Sequence, residues 1–335
     1  MIDFRSDTVT RPTPAMRAAM VAAEVGDDIW GDDPTMNRLL ARMATLTGKD
    51  AALFFPSGTQ SNLAAVMCHC ERGDEVILGQ NAHTYIAEGG GAAVLGSVQP
   101  QPIENAADGT LPLEKIAAVI KPVDIHHART RLLALENTIG GKTLPETYVT
   151  AATALARSRG LSTHLDGARI FNAAVGSGRS VAELTAPFDT ISICFSKGLG
   201  APVGTVLVGS KPLIARAHHW RKMLGGGMRQ VGFLAAACLH ALDHHVARLA
   251  EDHANAAALA AGLRAIPELT VDGPHTNMVV VDIPAERCAG LSEHLRAVGI
   301  LAAIRPRTRF VTHLDVARAD IDRTVAVIAA YFAVR

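Results

Sequence analysis

Lys197 stands where a short apolar, β-branched run, residues 190–195, gives way to small residues in Phe195-Ser196-Lys197-Gly198-Leu199-Gly200. Such a run reads as a buried strand, and a second one, 204–208, returns after the turn Ala201-Pro202-Val203. An amine delivered to a strand end, with room around it and little water, is a usable nucleophile toward an aldehyde. The glycines beside it are expected to leave space for a flat ring and for the lysine to swing away. Asp166 ends another apolar run, in Thr163-His164-Leu165-Asp166-Gly167-Ala168-Arg169. A carboxylate held there can pair with a protonated ring nitrogen and keep it protonated. A third run, 51–55, is followed by Ser57-Gly58-Thr59 and then a helix. Backbone N–H groups and a hydroxyl at a helix N-terminus suit a phosphate. Each feature alone has an ordinary alternative: a solvated lysine, an Asp166–Arg169 ion pair, a helix cap. Together, a Schiff-base lysine, an aspartate for a pyridinium nitrogen and a phosphate cradle are the three anchors of pyridoxal 5'-phosphate. His83 sits in a loop, available for stacking or proton transfer, and His126 sits beside His127 just before a strand; for either, a solvated histidine is the ordinary alternative.

These residues need a frame that brings them together. Segments 51–55, 75–78, 131–136, 162–165 and 190–195 read as strands, with 93–95 and 97–100 as short extended pieces. Helices are expected over 15–24, 36–47, 60–70, 113–120 and 147–158, with a further helix or loop from 168 onward. Strand–helix alternation argues for an α/β fold with a mainly parallel sheet and helices on both faces. In such sheets ligands collect at the carboxyl ends of the strands, and His83, Asn137, Asp166 and Lys197 all follow strands there. After Pro212 the pattern changes. A helix over 213–222, a break at Gly225-Gly226-Gly227 and one or two Ala-rich helices over 230–266 lead into a smaller α+β unit. In that unit a strand (278–283), a helix (288–298), a strand (310–312) and a helix (320–332) follow in turn. The expected division is an arm, 1–13, extended because Pro12 and Pro14 block a helix; a large domain, 14–245; and a small domain, 246–335.

Composition narrows the classes. The 335 residues are 49% hydrophobic with a mean hydropathy of +0.20, yet Gly, Pro or charge interrupts every apolar run before it could span a bilayer. The first eleven residues, MIDFRSDTVTR, hold no apolar signal core. Formal net charge is zero and the pI about 7.3, giving no electrostatic reason to expect nucleic acid or a membrane surface as partner. Five scattered cysteines point to a reducing, cytoplasmic setting. Cys68-His69-Cys70 lacks a second ligand pair and reads as core packing rather than a metal site. The acidic loop 26–34, GDDIWGDDP, suits helix capping, solvated turns or a cation.

The segments IDFRSDTVTRPT, VGDDIWGDDPT, PSGTQSN, HLDGARIFNA, SICFSKGLGAPVG, RKMLGGGMRQ and RFVTHLD, in this order, closely resemble the low-specificity L-threonine aldolases. These belong to the aspartate-aminotransferase-like, fold type I pyridoxal phosphate enzymes, and the resemblance covers essentially the whole chain. It implies that Lys197 bonds the cofactor's aldehyde, that Asp166 pairs with its ring nitrogen and that His83 stacks on the ring. It places Arg169 near the phenolic oxygen and the substrate carboxylate, with Ser6 and Arg309 as further carboxylate ligands. Ser57, Gly58, Thr59 and Ser196 fall to the phosphate, which Arg229 would reach across a subunit interface. His126 would enter from the adjacent subunit to meet the substrate's β-hydroxyl. A homotetramer, a dimer of dimers with sites at dimer interfaces, is implied as well. Trp30 stands where many relatives carry Tyr, and Ile139-Gly140-Gly141 where they carry His-Asn-Gly. The latter bears on the wall near the substrate side chain.

The implied reaction is retro-aldol cleavage of a β-hydroxy-α-amino acid to glycine and an aldehyde. The β-hydroxyl needs a base, for which His83, His126 or a water between them are the candidates. Two other fates of this fold stay open at this point: β-elimination, racemisation or transamination on the same cofactor, and a catalytically silent binding protein. A nucleotide-dependent dehydrogenase fits badly, because no G-x-G-x-x-G follows the first strand.

Overall fold

A computed structural model describes residues 1–333. Its strands, in chain order, are β1 (Ile2–Asp3), β2 (Ala51–Phe55), β3 (Asp74–Gly79), β4 (Gln99–Ile103), β5 (Arg129–Glu136), β6 (Ser162–Asp166), β7 (Thr190–Cys194), β8 (Thr205–Gly209), β9 (Thr270–His275), β10 (Met278–Asp282), β11 (Ile300–Leu301) and β12 (Arg307–Val311). Seven of them form one sheet in the order β2-β8-β7-β6-β5-β3-β4. The pairings from β4 to β7 are parallel, and β8 runs antiparallel to both β7 and β2. The expected mainly parallel α/β sheet is therefore present, with the second apolar run returning as its reversed strand.

Alternation along the strands shows why both faces are covered. Phe54, Ile77, Leu133 and Val206 belong to one buried cluster. Their neighbours Leu53, Phe55 and Leu207 belong to a second and Val76, Leu78, Leu132 and Ala134 to a third. Side chains of period two thus alternate between helix layers, which is why these runs read as continuously apolar. The layer helices start and stop on local signals. Helix Pro34–Thr47 has Pro at its start, Asp33 accepting from the Met36 amide at 2.9 Å, and left-handed Gly48 (φ 66°) at its end. The acidic loop is thereby assigned in part to capping.

Two local expectations differ. Residues 93–95 are not extended: Gly90 (φ 71°) opens a helical turn, Gly91–Val94. A short apolar run carries too few residues for its period to separate strand from helix. The strand expected over 97–100 lies two residues further on, as β4. His83 likewise opens a short helix, His83–Ile86, rather than sitting in an open loop. The Ala-rich stretch 230–266 resolves into two helices, Gly232–His244 and Leu249–Arg264.

The arm is not extended throughout, since Asp7–Val9 form a turn of 3-10 helix capped by Ser6, and it is integrated into the C-terminal packing. β1 pairs in parallel with β11, and Ile2 and Phe4 are buried in a cluster otherwise drawn from residues 256–332. Phe4 lies edge-on to Phe310, ring centroids 5.8 Å apart, while its backbone bonds Leu301 and Val311. Replacing Phe4 by Ala is expected to destabilise the protein by about 3–5 kcal/mol, read as a fall in the urea midpoint. An unchanged midpoint would mean the arm contributes nothing to this core.

Candidate active site

The carboxyl ends of the parallel strands open on a cavity of about 350 Å³. Six expected residues line it: Ser6, His83, Asp166, Arg169, Lys197 and Arg309. A larger, more open cavity of about 710 Å³ holds Lys142, His253, Asp272 and Thr276. Its lysine is already engaged by the Ala107 carbonyl at 2.7 Å and by Asp272 at 3.6 Å. The chemistry-bearing groups converge in the smaller one.

Lys197 follows the wholly buried β7 by three residues, and its Nζ lies 3.5 Å from Cys194 Sγ. Space lies beside it in the cavity, while the neighbouring glycines are themselves closely packed. Leu249 packs on Gly198, Leu314 on Gly200 and the Phe54 ring on Gly204, so the glycines serve close packing. Gly200 also takes φ +77°, which a side chain would strain. At Gly58 a Cβ would fall 2.9 Å from the same Cys194 sulfur that Lys197 approaches. The sulfur thus links the helix N-terminus to the lysine, and only glycine fits there. Ser57 Oγ caps the helix Gly58–His69 by accepting from the Gln60 amide at 3.2 Å. That leaves the first-turn N–H groups for a ligand. Ser57, Gly58, Thr59 and Ser196 sit at this sheet edge but outside the cavity lining.

Asp166 is buried, and both of its oxygens are engaged: Oδ1 by the Ala168 amide at 3.0 Å, Oδ2 by Asn62 Nδ2 at 2.9 Å. The β5–β6 register sets Glu136 beside it. Burial, and then the Asp166 charge, push the Glu136 carboxyl up to about 8. Glu136 Oε2 accepts from the His83 amide at 2.7 Å. The His83 ring lies over the cavity with Nδ1 2.8 Å from Glu88 Oε1.

Arg169 is gripped by Asp7 of the arm, Nε to Oδ2 at 2.8 Å and Nη2 to Oδ1 at 2.5 Å. Burial alone would raise the Asp7 carboxyl, but Arg169, helped by Lys197 and Asn277, outweighs it and holds Asp7 at about 2. The Arg309 side chain has no hydrogen bond or ion pair among the described residues, and it stands at the cavity with Arg169 nearby. One arginine is fixed and neutralised; the other is an open cation. Ser6 Oγ accepts from the Thr8 amide and hydroxyl, at 3.2 and 2.9 Å, and keeps its own O–H to donate. Thr10 Oγ1 ties the arm to the Lys197 carbonyl at 2.9 Å.

Two expected residues lie elsewhere in this chain. His126 is exposed on the segment leading into β5, at the opposite strand end from the cavity, with its amide on Asp124. Arg229 is exposed and paired with Asp27 of the acidic loop at 3.1 Å. Cys68 and Cys70 are buried and the His69 ring bonds Thr190 Oγ1 at 2.8 Å, so this triplet sits in packing as expected.

The beta-eliminating lyase family model matches residues 3–286. The low specificity L-threonine aldolase of Escherichia coli (strain K12) is 56% identical over 326 residues, 97% of this chain and 98% of that protein. The chain belongs to the low-specificity L-threonine aldolases, within the beta-eliminating lyases. A threonine aldolase from Leishmania major superposes with a TM-score of 0.84 at 22% identity, covering 99% of this chain and 100% of its own. A serine palmitoyltransferase from S. paucimobilis, solved with a bound PLP–myriocin aldimine, superposes with a TM-score of 0.76 at 19% identity, covering 98% of this chain and 87% of its own. The fold is that of the fold type I pyridoxal phosphate enzymes.

Against this threonine aldolase frame, sequence reasoning missed Asp7, Asn62, Glu88 and Glu136 as functional neighbours. Asp7 and Asn62 were present inside the segments IDFRSDTVTRPT and PSGTQSN, and Glu136 at a strand end. Glu88 carried no signal beyond its nearness to His83 in sequence. Because Asp7 titrates lower when folded than its ordinary 3.8, its stabilisation is complete above about pH 4 and is lost as pH falls through about 2. Asp7→Asn, which strands a buried Arg169, is expected to cost about 3 kcal/mol at pH 7. Its urea-unfolding free energy should also fall less steeply than wild type between pH 4 and 2. Parallel pH curves for the two proteins would contradict the pairing.

Proposed function

We propose that this chain catalyses pyridoxal phosphate-dependent retro-aldol cleavage of L-threonine, L-allo-threonine and related L-β-hydroxy-α-amino acids to glycine and an aldehyde. The observation that carries the reading is one cleft in which an amine, a buried carboxylate and an unpaired arginine face each other at strand ends. The residues fit the cofactor. Lys197 would hold its aldehyde carbon, Asp166 its ring nitrogen and His83 its ring face. Gly58, Thr59 and Ser196 would hold its phosphate, at a helix start where only a missing Cβ leaves room beside Cys194. The Ser57 oxygen accepts the cap bond and keeps its O–H to donate to the phosphate as well. When bound, pyridoxal phosphate supplies a protonated pyridine ring that accepts electrons.

The chain's own groups do the rest. Arg309 and the Ser6 hydroxyl bind the substrate carboxylate, with Arg169, braced by Asp7, as the second cation. Holding the carboxylate fixes which bond at Cα lies in line for cleavage, and so separates loss of the side chain from loss of the α-proton. A histidine, His83 or the His126 of a neighbouring copy, takes the β-hydroxyl proton as that carbon becomes the aldehyde carbonyl. A proton is returned to Cα to give glycine.

The assembly we propose is a homotetramer with clefts completed at dimer interfaces. Its support is the segment bearing His126, where Val123 and Ile125 are 90% and 95% exposed, apolar surface that a second copy would cover. Arg229 would reach the phosphate of a neighbouring cleft. A cytoplasmic setting accords with five unpaired cysteines. No helix among the described residues is long and apolar enough to cross a membrane.

Reconstituted with pyridoxal phosphate and given L-threonine, the protein is expected to form acetaldehyde and glycine in equal amounts. Formation of 2-oxobutanoate and ammonia instead would contradict the reading. In the same assay Asp166→Asn should retain cofactor but lose at least about 100-fold in turnover, since an unprotonated pyridine is a poor electron acceptor. Near-normal turnover would remove Asp166 from that role.

A further inference from the structure

Behind the cleft runs a chain of hydrogen bonds whose direction can be assigned. Glu88 is nearly enclosed, and its Oε1 meets both His83 Nδ1 and Asn62 Nδ2 at 2.8 Å. The same Asn62 nitrogen reaches Asp166 Oδ2 at 2.9 Å, and Asn62 Oδ1 lies 3.2 Å from His164 Nε2. His164 Nδ1 lies 2.9 Å from Thr190 Oγ1, which in turn lies 2.8 Å from His69 Nε2.

Only one polarity satisfies every member. Two carboxylates need donors, so the Asn62 NH2 must face Glu88 and Asp166, one hydrogen for each, and its oxygen must accept. His164 then donates from Nε2 and accepts at Nδ1 from the Thr190 hydroxyl, which accepts from His69. Burial pushes the His164 imidazole down to about 4, so it is neutral, as this pattern requires. With Glu88 an acceptor, the His83 ring must carry its proton on Nδ1. Its Nε2 has no partner among the described residues, and the ring lines the cavity.

We propose that Glu88, oriented by Asn62, is a positioning residue of the aldol cleavage: it fixes His83 as the Nδ1–H tautomer, leaving Nε2 free at the cleft. This rests on the reading of the cleft given above. The proposal adds that the ring's orientation and the Asp166 carboxylate are set by one amide, Asn62, so that the two ends of the cofactor site are coupled. Other charged groups face His83 as well. The Glu88 hydrogen bond raises the imidazole against the opposing effect of burial; Asp166 adds to the rise and Lys197 opposes it. Glu136 holds the His83 backbone.

The test uses two variants. Glu88→Gln keeps the shape and an acceptor but removes the charge; Glu88→Ala removes both. In histidine-labelled nitrogen NMR of the cofactor-free protein, Glu88→Gln should shift the His83 titration down while Nδ1 stays protonated. Glu88→Ala should release the ring to the Nε2–H tautomer. In the reconstituted enzyme, Glu88→Ala should lower kcat for L-threonine by about tenfold or more, with KM changed less than about twofold. The acid limb of the Glu88→Gln kcat profile should move to lower pH. An unshifted His83 titration in Glu88→Gln, which is near-isosteric and so expected to fold, would overturn the proposal, as would the Nδ1–H tautomer retained in Glu88→Ala or an unchanged kcat profile. Because the NMR readout needs no substrate, an enzyme inert toward threonine would refute the functional reading without deciding the role of Glu88.

Discussion

Parallel pairing of β3, β5, β6 and β7 is the constraint on which everything else depends. Strands that run the same way must end at the same edge; the connections leaving β3, β5 and β6 cross to the opposite end, and only β7 turns back here, into antiparallel β8, through the loop that carries Lys197. The register puts Glu136 beside Asp166, and Lys197 arrives three residues past the end of β7. Charged groups at this edge cost little backbone hydrogen bonding, because the ladder has already ended. The buried strands beneath supply rigidity, so the groups are held without a folded lid.

The second constraint is that the edge is closed by chain from far away. Ser6 and Asp7 come from an arm whose Ile2 and Phe4 are anchored among residues 256–332, and Arg309 comes from β12 in the same packing unit. The Asp7–Arg169 pair bonds this unit to the sheet edge across the cleft. Its pairing leaves Arg309 as the open cation. A cleft with one neutralised and one free arginine suits a single carboxylate, which is what an amino acid presents beside its amine.

How far the sequence revealed this depends on the range of the interaction. Lys197, Asp166 and the Gly58 turn were legible because strand-end placement is a local property, written in short apolar runs followed by small residues. The partners of these residues were not. The Asn62–Asp166 bond spans 104 positions and the Arg169–Asp7 bond 162, and no local pattern encodes either. The glycines near Lys197 were read only as leaving room; each is also a site of close contact, with Leu249, Leu314 or Phe54. Residues 93–95 were misread because so short an apolar run fits a turn of helix as well as a strand, and left-handed Gly90 opens the helical turn Gly91–Val94 there. His126 and Arg229 are exposed and outside the lining of this chain's own cleft, so the roles proposed for them require a neighbouring copy.

The central claim is that Lys197, and not the lysine of the larger cavity, is where pyridoxal phosphate is held. Borohydride reduction of the reconstituted protein, followed by digestion and mass spectrometry, locates the attachment directly. A phosphopyridoxyl mass on the peptide containing Lys197, at about one per chain, is the result expected. Labelling of Lys142 with Lys197 unmodified would contradict it.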